Sequence, residues 1–340
     1  MTKTKRHYTQ IDIARGIGIL LVVFGHSLKQ TQVHAAWIKV LTYLIYSFHM
    51  PLFFVLSGFV AARILDIDAA AERCRFLGNR AVRLLVPYFA IGLLYIPVKL
   101  KLSAYAVKPF RLSDSLKLLI GQNPDVSLWF LYILFIVTMV TVLLVNRNNF
   151  RPVLYGSFFL SLAIYWANLD FKTGKYLFFF LAGIWVRLKF EDVLRDSGTG
   201  GKCAENVMAG QELLAAAALV IFVFLNVFLY RTTVTLSIMG TSVCGTYLVL
   251  WFSCSLAGGT RFRKPVTVLE YLGRHSMDIY ILHEPIMTIL KIVLFNVLGL
   301  NYIVCTALIF AGALLIPMPV SALLIRRVKP LKLLFLGERS

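Results

Sequence analysis

Arg15 and His26 lie inside the first long apolar run of this 340-residue chain. An ionisable side chain within a membrane-length apolar segment costs several kcal/mol, so each needs a reason to be there. If the run is helical, the two fall on nearly one face, about 16 Å apart along the axis. Asp12, one turn before Arg15, can pair with the guanidinium. Such a pair suits a ligand with an anionic end near the membrane surface and a reactive end deeper inside. The pantetheine arm of coenzyme A has about that reach. The plainer alternatives are an Arg15 that snorkels to lipid headgroups and a His26 that is a hydrogen-bonded packing residue.

Further residues of this kind follow. Ser47-Phe48-His49-Met50-Pro51 sets a second histidine beside a proline that interrupts the backbone ladder, and Gly58 lets another helix approach closely, as in a bundle interior. His49 reads either as a structural residue or as part of a substrate site. Arg80 and Arg83, one turn apart, offer guanidinium forks suited to phosphate; the usual excess of basic residues at a cytosolic boundary explains them equally well. Trp129 opens another apolar run, as an interfacial belt residue or as a substrate contact. Late in the chain, His283 follows Asp278 by five residues, so the two do not share a helix face and are not expected to form a dyad.

The elements that must position these groups are membrane helices. The chain is 59% hydrophobic and 15% charged, with a mean hydropathy of +0.77, whereas a soluble domain needs about a quarter of its residues charged. The apolar residues form blocks of roughly 17–25, the length that crosses about 30 Å of hydrocarbon. The pattern predicts an all-α polytopic bundle of about ten transmembrane helices, at 12–30, 41–62, 84–102, 126–145, 152–168, 174–188, 212–230, 237–256, 277–298 and 302–325. Lysines and arginines concentrate in the N-terminal segment, in alternate connections (63–83, 147–151, 187–202, 261–274) and after residue 325, which favours an N-in, C-in topology. The segment from Lys99 to Asp125, with Lys99, Lys101, Lys108, Arg111 and Lys117, runs against that pattern: either it is an amphipathic stretch on the outer surface, or the third span is not a separate crossing.

Residues 1–340 read as a single membrane domain, with no separate soluble domain and no internal repeat. Its longest inner break contains the flexible Ser-Gly-Thr-Gly-Gly run at 197–201. The net charge of +19 belongs to the loops and to anionic lipid heads rather than to a nucleic-acid partner. Cys74, Cys203, Cys244, Cys254 and Cys305 show no paired spacing, so neither a disulfide framework nor a metal site is indicated. Lys3, Lys5 and Arg6 precede the first apolar run without a small-residue cleavage site after it, unlike a signal peptide.

Together these elements resemble the acyltransferase-3 family of integral membrane acyltransferases. The resemblance rests on Asp12-Ile-Ala-Arg15-Gly16, on His26 at its spacing from Arg15, and on Ser-Phe-His49-Met-Pro-Leu-Phe-Phe-Val-Leu-Ser-Gly58-Phe. It continues with Arg80 and Arg83 before Pro87-Tyr88, Leu-Trp129-Phe-Leu-Tyr, and Ser276 through Tyr280 to His283, and so covers almost the whole chain. It implies a multi-pass protein of the plasma (inner) membrane that moves an acyl group, acetyl first among them, from cytosolic acyl-CoA to a hydroxyl of a cell-surface glycan or lipid-linked sugar, without a metal. Membrane lipids are its other partners.

The family's key arginine and histidine fall on Arg15 and His26. His26 is then a general base for the acceptor hydroxyl, since an imidazole suits proton transfer near neutral pH, or the carrier of an acyl-histidine intermediate. Arg15, Arg80, Arg83 and His283 are expected to bind acetyl-CoA, His49 and Trp129 the acceptor, with Asp12 and Gly58 in support. The rival reading is a transporter or flippase whose path is lined by Arg15, His26 and His49; the lack of repeats and of an acidic chain for ion coupling argues against it.

Overall fold

The computed structural model describes residues 8–29, 36–101, 110–196, 211–228, 235–258 and 263–339. Lys3, Lys5, Arg6, Lys108, Cys203 and the glycine-rich run at 197–201 lie outside these residues. All regular structure among them is helical: Thr9–Leu28 (α1), Ala36–Tyr46 (α2), His49–Ala61 (α3), Ala70–Lys101 (α4), Trp129–Leu144 (α5), Phe150–Trp166 (α6), Lys172–Asp196 (α7), Glu212–Phe228 (α8), Thr235–Gly258 (α9), Arg263–Arg274 (α10), Ser276–Lys291 (α11), Tyr302–Leu315 (α12) and Lys329–Leu336 (α13). Six helical segments are long and apolar enough to cross a membrane: Thr9–Leu28, Ala36–Asp66, Ala70–Lys101, Val126–Leu144, Ser237–Gly258 and Tyr302–Ile325. The chain is an integral membrane protein.

Three departures from the sequence expectation have identifiable causes. The second apolar run is not one helix but two, broken at Ser47-Phe48. Pro51 has no N–H to give to the Ser47 carbonyl, and its ring crowds that carbonyl. The Ser242 hydroxyl of α9 donates to it instead, at 2.6 Å. Next, α4 begins well before residue 84, so Arg73, Arg75, Arg80 and Arg83 lie on a helix rather than in a loop. Finally, α10 and α13 are short helices bearing charged residues, and an apolar-run search passes over them.

The helices sort into two compact units, Met1–Arg63 with Arg151–Ser276, and Ile64–Phe150 with Met277–Ser340. In the first unit, the core packs Ile11, Ala14, Phe48, Leu52, Leu56, Phe59, Phe222 and Val249 together. Two helix pairs touch backbone to backbone through reciprocal glycines. A Cβ on Gly58 of α3 would overlap the Phe180 carbonyl of α7, and one on Gly183 of α7 would overlap the Val55 carbonyl of α3. The same exchange joins α1 to α10, with Gly16 against the Leu269 carbonyl and Gly273 against the Asp12 carbonyl. Close approach of this kind lets van der Waals packing hold helices together where lipid supplies no hydrophobic drive.

In the second unit, the segment before α5 is fixed by a buried polar network. Asn123 donates from Nδ2 to the Tyr88 carbonyl of α4 at 2.8 Å, and the Tyr88 hydroxyl donates to the Leu118 carbonyl at 2.9 Å. Asp125 accepts from the backbone N–H and the hydroxyl of Ser127, at 3.0 and 2.6 Å. The Tyr280 hydroxyl of α11 donates to the Ser127 carbonyl. Buried polar groups must be paired, and here the pairing holds the start of α5. The expected amphipathic stretch includes a short 3-10 helix, Leu112–Ile120. Its Asp114 carboxyl, paired with Lys117 and the Arg111 backbone, is held below the usual carboxylate value.

Candidate active site

A run with no proline and only close-packed glycines makes α1 one unbroken helix from Thr9 to Leu28. It carries Asp12, Arg15 and His26. At one end, Arg15 Nη1 lies 3.5 Å from Asp12 Oδ1. Arg274 of α10 reaches the other oxygen, Nε to Oδ2 at 3.5 Å, and is aimed by Glu270 at 2.8 Å. The glycine-mediated docking of α10 onto α1 is what brings Arg274 there. One carboxylate therefore orients two guanidiniums whose side chains stay 28% and 52% exposed.

At the other end, a second cluster forms around Tyr46. Its ring lies 5.9 Å from that of His26 and 4.8 Å from that of His49, centroid to centroid, and Lys29 Nζ sits 5.5 Å from its centroid. Gly25 makes room for it, since a Cβ there would come within 3.0 Å of Tyr46 Cε2. His49 is buried, with Nδ1 2.8 Å from the Ile45 carbonyl oxygen. A carbonyl only accepts, so Nδ1 carries the proton and Nε2 is the acceptor of that ring. The α2–α3 break thus does two things: it frees the Ser47 carbonyl, and it turns His49 toward Tyr46.

Between these ends, on the face shared by Arg15 and His26, Ile19 and Val22 are fully buried. The face is polar at both ends and packed in the middle. Nearby on α7, Arg187 stacks on Tyr8 and Phe59, 4.3 and 5.1 Å from the ring centroids, and pairs with Glu191.

The remaining expected residues lie in the second unit. Trp129 opens α5, with its ring 6.5 Å from Phe130. Arg80 stacks on Phe76 at 5.2 Å. Arg83 donates to Glu338 at 2.6 Å. His283 is completely buried on α11, its Nδ1 2.6 Å from the Tyr280 carbonyl. Asp278 accepts from Arg326 at 3.1 and 2.8 Å, and from the Ser321 hydroxyl.

Several residues escaped the sequence reading. Tyr46 and Arg274 have no local motif, because each gains its role from a helix that folds back. Asp125 did carry a signal: an aspartate before Val-Ser-Leu-Trp is a helix N-cap, and its side chain accepts from Ser127 N. Arg326 ends the last apolar run and reads as an ordinary boundary charge until Asp278 is beside it.

The fold and this site define a class: a helical membrane protein whose first helix holds a guanidinium and an imidazole on one face, with a second histidine close by. The chain belongs to the acyltransferase-3 family, whose model, described as an acyltransferase domain, matches residues 8–324. Nodulation protein NolL of Sinorhizobium fredii is 39% identical over 79 residues, 22% of this chain and 21% of that protein. NolL of Mesorhizobium japonicum is 33% identical over 87 residues, 25% of this chain and 22% of that protein. The alignments thus span about a fifth of the length of these curated relatives. No solved structure matches.

Proposed function

We propose that the chain is an O-acetyltransferase of the plasma membrane, carrying acetyl from cytosolic acetyl-CoA to a hydroxyl of a cell-surface glycan or lipid-linked sugar. The observation that carries this reading is the position of Arg15 and His26 on one face of a single unbroken helix, with His26 against a tyrosine that also touches His49. Counting α2 with α3 as one crossing, and leaving α10 and α13 at the surface, the helices make ten crossings with both termini in the cytosol. The basic residues of the inner segments favour that orientation. The family match runs through both compact units, which favours one acyltransferase domain over two.

The chemistry follows from the residue types. His26 takes the proton of the acceptor hydroxyl as its oxygen attacks the thioester carbonyl. The tetrahedral intermediate collapses, the carbon–sulfur bond breaks, and the departing thiolate takes the proton back from the imidazolium. The new ester stays on the sugar and free coenzyme A leaves. Arg15 binds the phosphates at the other end of the donor, and Arg274 shares the carboxylate that aims it. Because Ile19 and Val22 are buried, the donor's arm reaches His26 only when the packing beside α1 opens.

Two measurements bear on this. Arg15→Gln is expected to raise KM for acetyl-CoA roughly tenfold or more, as loss of a charged hydrogen bond would, with a smaller effect on kcat; unchanged KM would take Arg15 off the donor. Sealed inverted vesicles given labelled acetyl-CoA are expected to acetylate acceptor on their lumenal face. Label confined to the outward, cytosolic face would overturn transfer across the membrane.

A further inference from the structure

The second unit holds a cluster of charges that the chemistry above leaves unused. Glu338 lies just after α13, with Arg83 Nη1 2.6 Å from Oε1 and with Lys332 Nζ and Arg326 Nη1 at 3.4 and 3.5 Å from Oε2. Two built features deliver these groups. Gly337 closes α13 with φ +60, a conformation glycine takes without penalty. Its missing Cβ also lets the chain lie against the Val82 carbonyl and 2.5 Å from where it would meet Arg83 Cα. Arg326 is aimed by a bidentate pair with the buried Asp278, at the end of a π-helical turn, Ser321–Ile325. Burial alone would raise the Glu338 carboxyl; the hydrogen bond and charge of Arg83, with Arg326 and Lys332, more than offset this and hold it below the usual carboxylate value.

Fastening α13 to α4 requires one ion pair. Here three cations, each rich in donors, converge on one carboxylate whose side chain is still 26% exposed. Two guanidinium forks and an ammonium around a small oxyanion are the donor set that recognises a phosphoryl group. We infer that Arg83, Arg326 and Lys332 form a phosphate-binding site, and that Glu338 is its resident placeholder, displaced when a phosphoryl group arrives. The phosphoryl group comes from the acyl donor, an arm that rests on the acetyl-CoA reading above, or from an anionic lipid headgroup. An internal occupant lowers the apparent affinity by the fraction of sites it fills, so removing its charge strengthens binding.

The test uses the whole protein in phosphatidylcholine nanodiscs, titrated separately with acetyl-CoA and with short-chain phosphatidylglycerol. Glu338→Gln is expected to tighten binding about two- to fivefold, the scale of a partly exposed ion pair. Adding Lys332→Gln to that variant is expected to reverse the gain. Tightening toward acetyl-CoA alone identifies the donor's phosphate as the ligand; tightening toward phosphatidylglycerol alone identifies the headgroup. Both ligands bound unchanged or more weakly by folded Glu338→Gln protein, with a lower unfolding temperature, would reduce the cluster to a structural tie and overturn the inference. If wild-type protein binds no acetyl-CoA while the phosphatidylglycerol arm responds, the donor reading fails and the phosphate site stands.

Discussion

His26→Ala is expected to abolish acetyl transfer while leaving the protein folded and able to bind donor. A positioned general base contributes roughly 10²–10⁴-fold, so kcat falls by about that factor. KM for acetyl-CoA changes little, because the donor's charged end is held at the opposite end of α1. The fold is expected to survive because His26 is only partly buried, so truncating it opens no closed core cavity. The check is a steady-state assay with labelled acetyl-CoA on purified protein, with thermal unfolding measured beside it. Full activity in a folded His26→Ala protein would remove the imidazole from the mechanism. The same label separates the two forms of histidine chemistry: an acyl-histidine leaves acetyl on wild-type protein when acceptor is withheld, whereas a general base leaves none.

Much of this site is visible in the sequence because membrane helices are regular. An unbroken apolar run fixes rise and rotation, so the spacing of Arg15 and His26 converts directly into a shared face. Pro51 and Gly58 were legible for the same reason, as local rules about a missing N–H and a missing side chain. What the sequence did not carry are the partners that each rule demands. Pro51 leaves the Ser47 carbonyl in need of a donor, but nothing local says that it is Ser242. Asp12 calls for a cation, and Arg15 answers at one turn; Arg274 reaches the same carboxylate only because α10 folds back onto α1. Arg83 reads as a phosphate ligand from its type, yet its carboxylate partner lies at the far end of the chain. Long-range pairing of single residues has no period, so no pattern search finds it. The short helices α10 and α13 carry charged residues and lack the apolar length of a spanning helix, so an apolar-run search passes over them.

Gly58 supports the sharpest stability prediction, because the obstacle facing it is backbone. A Cβ there would overlap the Phe180 carbonyl oxygen and lie 2.8 Å from its carbon, and Gly183 faces Val55 and Phe59 backbone in the same way. A flexible side chain could swing aside; a helix backbone moves only as a whole. Gly58→Ala must therefore push α3 away from α7, opening the core around Leu56 and Phe59 and parting Phe59 from Arg187. Overpacking typically costs about 1–3 kcal/mol, and with two backbones locked reciprocally the loss is expected at the top of that range or beyond. Gly78 and Gly156 provide the internal control: both lie in helices, and a Cβ at either meets nothing within 4 Å. Alanine exceeds glycine in helix propensity by up to about 1 kcal/mol, so Gly78→Ala and Gly156→Ala are expected to hold or raise the unfolding temperature. The same one-carbon change should thus have opposite signs at the two kinds of site. Thermal unfolding of the three variants in one detergent measures this, and a Gly58→Ala protein as stable as its controls would mean that α3 and α7 do not meet through their backbones.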